Sequence, residues 1–145
     1  MYTNILLTTD GSELATRSVE QGIGLAKALG ANTTVLTVIQ PLHTVAPAEA
    51  MIAFPAAEYD KHAQQNADKI LQRAKEAADM AEIACTTKSV THDAPWQAIV
   101  DTAADTGCDL IVMGSHGRTG LSKLVIGSET QKVLAHTTIP VLVTR

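Results

Sequence analysis

Apolar and polar positions along the chain follow two periods that take turns. Residues 4–8 (NILLT) form a short apolar run that stops at Thr9-Asp10-Gly11-Ser12, a turn holding a helix N-cap candidate. From Glu13 to Leu29, small or apolar residues recur at Ala15, Val19, Gly22, Ile23, Ala26 and Leu29. That is the period of an amphipathic helix, and Gly30 is placed to close it. Residues 33–39 (TTVLTVI) are β-branched and stop before Pro41, which predicts a second strand. Residues 41–54 (PLHTVAPAEAMIAF) read as a proline-punctuated, unusually apolar connection. A loop that long in a compact domain is expected to be functional or disordered. Beyond Pro55 an Ala/Gln/Lys/Glu-rich stretch runs to about Ala81, with a thin apolar stripe at Ala63, Ala67, Ile70, Ala74 and Ala77. It predicts a long helix with one side in solvent. Residues 83–90 predict a third strand, alternating enough to sit at or near a sheet edge. Asp93-Ala94-Pro95 opens a third helix to about Thr106, with an acidic cap candidate and proline in its first turn. Residues 109–113 predict a fourth strand, 128–136 a fourth helix and 139–144 a fifth strand.

Strand and helix in strict alternation imply right-handed crossovers and a parallel sheet covered on both faces. The predicted fold is a single doubly wound, Rossmann-like α/β domain over residues 1–145, with five parallel strands. No internal repeat or low-complexity segment interrupts it. In such sheets a ligand binds beyond the carboxyl ends of the strands, where strand order reverses. That singles out Asp10, residues 38–41 and the stretch from Gly114 onward.

Composition narrows the picture. The 145 residues are 46% hydrophobic and 18% charged, with a formal net charge of −4. One core and no disordered tail are expected. Mild acidity without a basic patch argues against nucleic acid as a partner. Cys85 and Cys108 are too few for a disulfide framework, lack zinc-ligand spacing, and read as small hydrophobes. The first residues carry no basic stretch, and no apolar run approaches the roughly 20 residues that span a bilayer. A soluble, cytoplasmic protein without membrane contact is expected. Five of the nine glycines (Gly107, Gly114, Gly117, Gly120 and Gly127) crowd into 21 residues, which marks backbone that turns sharply or approaches a ligand closely.

Residues 113–128 read MGSHGRTGLSKLVIGS. Gly114 and Gly117 would let N–H groups point inward after the fourth strand. With nine residues between it and Gly117, Gly127 together with Ser128 begins a helix whose first N–H groups have no internal partners. Free amides, a positive helix end and room for close approach make an anion site. Ser128 with Gln131 also fits a capping box. A plain strand-to-helix turn is the rival reading on spacing alone.

Here the chain resembles a family. Gly114-x-x-Gly117, nine residues, then Gly127-Ser128 matches the G-2x-G-9x-G-(S/T) signature of ATP-binding universal stress proteins. The likeness spans the chain: residues 4–12 are similar to that family's first strand and turn, Ala94-Pro95 with Ile99 and Ala103 to its third helix, residues 109–118 to its most recognisable stretch, and residues 140–143 to its last strand. The resemblance implies an adenine nucleotide (ATP, or AMP or ADP) as ligand, with magnesium or manganese held mainly by the phosphates and no protein metal site. It also implies a homodimer formed through the last strand. By position, Asp10 would lie against the ribose or base, Val38 would meet the adenine edge through its backbone, and Met113 would pack on the nucleoside. Gly114, Gly117, Gly127, Ser128 and Glu129 would surround ribose and phosphates, with Arg118 near the phosphates. From location alone, Val38 and Met113 also read as ordinary core residues. Two positions depart from the family pattern: Thr8, where proline is frequent, and Glu129, where a small or apolar residue is usual. A carboxylate in the first turn favours the helix dipole yet repels a nearby phosphate unless a divalent cation or Arg118 intervenes.

Rival fingerprints fail on placement. No G-x-G-x-x-G follows the first strand and no G-x-x-x-x-G-K-(S/T) occurs. Asp10 stands without the additional acidic residues at the first strand that a receiver domain uses for magnesium. His116 reads as a loop histidine, with no carboxylate near in sequence to orient it. Trp96 is expected to be partly exposed, and the remaining histidines lack metal-ligand spacing. The reading that follows is a nucleotide-switched regulatory homodimer, with hydrolysis or autophosphorylation slow at most. The alternatives are a nucleotide-free dimerisation module of the same fold, or a slow ATPase or phosphotransferase using His116 or Ser128.

Overall fold

A computed structural model describes residues 1–53, 55–116 and 125–145. Five strands, β1 (Asn4–Thr8), β2 (Asn32–Ile39), β3 (Cys85–Thr91), β4 (Leu110–Gly114) and β5 (Val141–Thr144), form one sheet in the order β3-β2-β1-β4-β5. Every pairing is parallel, and Ile5 stands in register with Thr33 on one side and Leu110 on the other. The chain steps outward from β1 to β2 and β3, then returns to the far side of β1 for β4 and β5. The reversal therefore lies between β1 and β4.

Alternation along the strands sorts the core into two layers. Ile5, Leu7, Val35 and Val112 face α1 (Glu13–Leu29) and α4 (Ala56–Met80), meeting Val19, Ile23, Ala26, Leu71, Ala74 and Ala78. Leu6, Leu36, Ile111 and Met113 point the other way, toward Ile99 and Ala103 of α5 (Pro95–Asp105) and Val133 of α6 (Ser128–His136). Ile5, Leu6 and Leu7 have no exposed surface at all, which is why β1 is apolar at consecutive positions rather than alternate ones. Each such side chain contributes about 1.5–3 kcal/mol on burial.

Local signals set most boundaries. Ser12 Oγ accepts from the N–H of Ala15 at 3.2 Å and caps α1, while Gly30 ends the helix at φ +66°, a left-handed turn that favours glycine. Pairing of the β1 and β4 starts is reinforced by Asp109, whose carboxylate accepts from Thr3 N–H (2.8 Å), Thr3 hydroxyl (2.9 Å) and Asn4 N–H (3.1 Å). The sheet's two edges differ. On β3 the exposed positions are Thr86, Thr87, Lys88 and Thr91, whereas β5 exposes Leu142.

Several expectations are corrected. The 41–54 connection is no bare loop: it folds into α2 (Leu42–Val45) and α3 (Ala48–Ala53), neither of which buries a residue. The α4 stripe rotates, so that Leu71 and Ala78 join Ala67 and Ala74 as its buried residues. Asp93 does not cap α5. Ala94 holds the N-cap position, and Asp93 instead pairs with His43 at 3.0 Å. The capping box of Ser128 and Gln131 does not form either. Gly127 is the N-cap of α6, and the Gln131 side-chain amide donates to Ile126 C=O at 2.7 Å. β5 starts at Val141, after Pro140 C=O has accepted from Ile111 N–H.

Candidate functional site

At the sheet's reversal point the carboxyl ends of β1, β2 and β4 open into one cleft of about 950 Å³. Its floor carries Thr9 and Asp10 after β1, residues 38–40 at the end of β2, and Met113, Gly114 and His116 at the end of β4. Helix starts close one end, with Pro95 from α5 and residues 127–131 from α6. The opposite wall is Val45 of α2 and the first half of α4, where Tyr59, His62, Asn66 and Ile70 face in.

The turn after β1 is braced by its own side chains. Gly11 N–H donates to Thr9 Oγ1 at 3.1 Å, and Ser12 N–H donates to one Asp10 carboxylate oxygen at 3.0 Å. Asp10 is thereby held at the cleft while Ser12 is committed to α1. Val38 and Met113 do two things at once. Both pack into the core layer under α5 and α6, and both line the cleft. The lower wall is therefore apolar.

α6 begins against the end of β4. Gly127 N–H donates to Ser115 C=O at 2.6 Å, and Thr130 Oγ1 donates to Gly114 C=O at 3.1 Å. A Cβ on residue 127 would stand 3.1 Å from His116 Cα and 3.2 Å from Ser115 O, both backbone atoms, so glycine there permits close packing of helix on strand end. The N–H of Gly127 is thus spent inside the protein rather than offered to a ligand. Ser128, which is exposed, and the two residues after it supply the first-turn N–H groups that a helix leaves without internal acceptors. At Gly114 a Cβ would meet only ordinary contacts, with Leu14 at 3.4 Å and His116 O at 3.5 Å.

The half-exposed side chain of Glu129 reaches across to the neighbouring helix. Its Oε2 accepts from the backbone N–H of Trp96 at 2.8 Å, supplying the cap that Asp93 does not, and its Oε1 pairs with Lys132 at 3.1 Å. The Trp96 indole, half-buried, stacks on His136 with ring centroids 4.4 Å apart. His116 Nδ1 lies 3.0 Å from Ser115 Oγ, a hydroxyl rather than a carboxylate.

Of the residues singled out from sequence, Asp10, Val38, Met113, Gly114, Gly127, Ser128 and Glu129 all border this cleft. Gly117 and Arg118 lie outside the described residues. The wall from α4 had no sequence signal, apart from the apolar connection that leads into it. Tyr59 is its anchor, since the phenol donates to Gln40 C=O at 2.8 Å and ties α4 to the end of β2. Apolar walls for a planar ring, a fixed carboxylate for hydroxyl groups and a positive helix end for an anion fit a nucleotide, and the volume suits one. Among the described residues no group of three His, Cys, Asp or Glu side chains is placed to hold a metal ion. No helix among them is long and apolar enough to cross a membrane.

Comparison with known proteins agrees with the fold. The universal stress protein family model matches residues 1–145. Universal stress protein YxiE of Bacillus subtilis is 29% identical over 149 residues, covering 100% of both chains. A solved structure of MJ0577 of Methanocaldococcus jannaschii superposes with a TM-score of 0.84 at 28% identity, covering 99% of this chain and 96% of that one. A universal stress protein solved in complex with cAMP shares the fold at a TM-score of 0.74 and 23% identity, over 99% and 97% of the two chains.

Proposed function

The chain belongs to the universal stress protein family, and from that premise we propose that it binds an adenine nucleotide in the cleft between β1 and β4 and works as a nucleotide-switched regulatory homodimer. The observation that carries the reading is the meeting of Asp10, Met113 and Ser128 on one cleft, although they lie more than a hundred residues apart at the extremes of the set. Asp10 accepts from ribose hydroxyls or the base, the backbone at Val38 meets the adenine edge, and Met113 packs on the nucleoside. Gly114 and the first-turn amides at Ser128 and Glu129 face the ribose and phosphate. Any divalent cation is held by the phosphates, not by a protein ligand set.

Switching follows from chain connectivity. α6 starts at the phosphate end of the cleft, and only four residues separate its last residue from β5. An anion that fixes the first turn of α6 therefore biases the edge strand through which a twofold copy would pair. We take this as a binding site, with the His116 imidazole set 3.0 Å from the Ser115 hydroxyl.

Mass spectrometry of nucleotide co-purifying with the chain, followed by equilibrium dialysis against labelled AMP and ATP with and without magnesium, tests the reading. Saturable binding of an adenylate below millimolar is expected. Absence of any such binding overturns it and leaves a nucleotide-free module of the same fold.

A further inference from the structure

The carboxylate of Glu129 stands between two helix starts. It belongs to the first turn of α6, it accepts from the first-turn N–H of α5 at Trp96, and both helix starts line the cleft. Those positive helix ends are what would attract an anionic ligand, and each already has a negative charge beside it. Lys132, one turn along α6, pairs with the same carboxylate at 3.1 Å. Both Asp10 and Glu129 are among the residues that line the cleft.

We propose that Glu129 is a specificity-determining residue that makes the cleft select adenylates of low charge, adenosine monophosphates over the triphosphate. The inference rests on the adenylate reading above and adds the class of ligand to it. One phosphate is accommodated by the first-turn amides of α6. Each further phosphate brings additional negative charge close to a carboxylate whose Oε2 is engaged by Trp96 N–H at 2.8 Å, between the two helix starts. The adenosine end is indifferent to this charge; the polyphosphate end is not.

Calorimetric titration of the whole chain with adenosine, AMP and ATP, in EDTA and again with magnesium, decides the matter. In EDTA, AMP is expected to bind at least about tenfold more tightly than ATP, and added salt is expected to narrow the gap by screening. Glu129→Gln keeps an oxygen that can accept from Trp96 N–H and removes the charge. It is expected to narrow the AMP-to-ATP gap by about fivefold or more, through tighter ATP binding. ATP binding as tight as AMP to the native chain overturns the inference while leaving the adenylate reading intact. Equal effects of Glu129→Gln on adenosine and ATP do the same. If none of the three ligands binds, both readings fall. Should the variant not fold, the salt dependence of the native AMP-to-ATP ratio stands as the test, and a ratio unmoved by salt overturns the charge argument.

Discussion

The carboxylate of Glu129 accepts the backbone N–H of Trp96 at 2.8 Å, so a side chain from the first turn of α6 completes the first turn of α5. Helix starts are ordinarily capped from the residue just before them. Here the cap comes from 33 positions along the chain, and α5 and α6 are joined at their ends as well as through their packed faces. Glu129→Ala is expected to lower stability by about 1 kcal/mol, the usual cost of a lost N-cap, whereas Glu129→Gln loses less than half of that. Urea unfolding of the two variants at neutral pH checks the order.

Gly127 offers a sharper test of how α6 meets β4. An added methyl group meets backbone at 3.1–3.2 Å, and backbone cannot rotate out of the way as a side chain would. Gly127→Ala is expected to cost about 1–3 kcal/mol and to weaken adenylate binding, because the first turn of α6 shifts with it. Calorimetry of ligand binding and thermal unfolding should move together; a variant with native stability and native affinity would contradict the close packing.

Acid sensitivity is expected at Asp109. Burial pushes its carboxyl up, but the hydrogen bonds from Thr3 and Asn4 outweigh this and hold it below the ordinary carboxylate range. A depressed carboxylate contributes stability above its unfolded value of about 3.9, and that contribution is lost as pH falls through the lower folded value. Asp109→Asn should therefore be less stable than the native chain by about 1 kcal/mol near pH 7, with the two converging as pH drops below the folded value. Urea midpoints measured at neutral and acid pH give the comparison.

Leu142 is 42% exposed on β5, flanked by Val141 and Val143 on an edge strand. Under the proposed homodimer, Leu142→Lys is expected to shift the chain in sedimentation from twice the single-chain mass to the single-chain mass, since a lysine on an edge opposes pairing. The native unfolding profile at low protein concentration should be retained.

The layered fold was legible because period and burial agree. β1, β2 and β4 are apolar on both faces, and α1 announces its ends with Ser12 and Gly30. The floor of the cleft was legible for a topological reason, as a reversal of strand order fixes which strand ends meet before any side chain is placed. What sequence reading missed was non-local. Asp93 has the right type and position to cap α5, yet His43 from another element claims it, and a distant carboxylate takes the place left open. The α4 wall at Tyr59, His62 and Asn66 arises only when a helix docks on β2 and β3, and no local pattern encodes that docking. Ser128 and Gln131 had the spacing of a capping box, but close approach to Ser115 handed the cap position to Gly127.

The unlike edges of the sheet set a limit on growth. If two chains join at β5 about a twofold axis, each contributes the same edge, and the combined sheet then ends at β3 on both sides. Those outer strands present threonines and Lys88, with no apolar row for a third chain to lengthen. Under that homodimer, valency would follow from which strand lies outermost: the sheet would double once, and Lys88 on β3 would disfavour the further addition that turns a pair into a fibre.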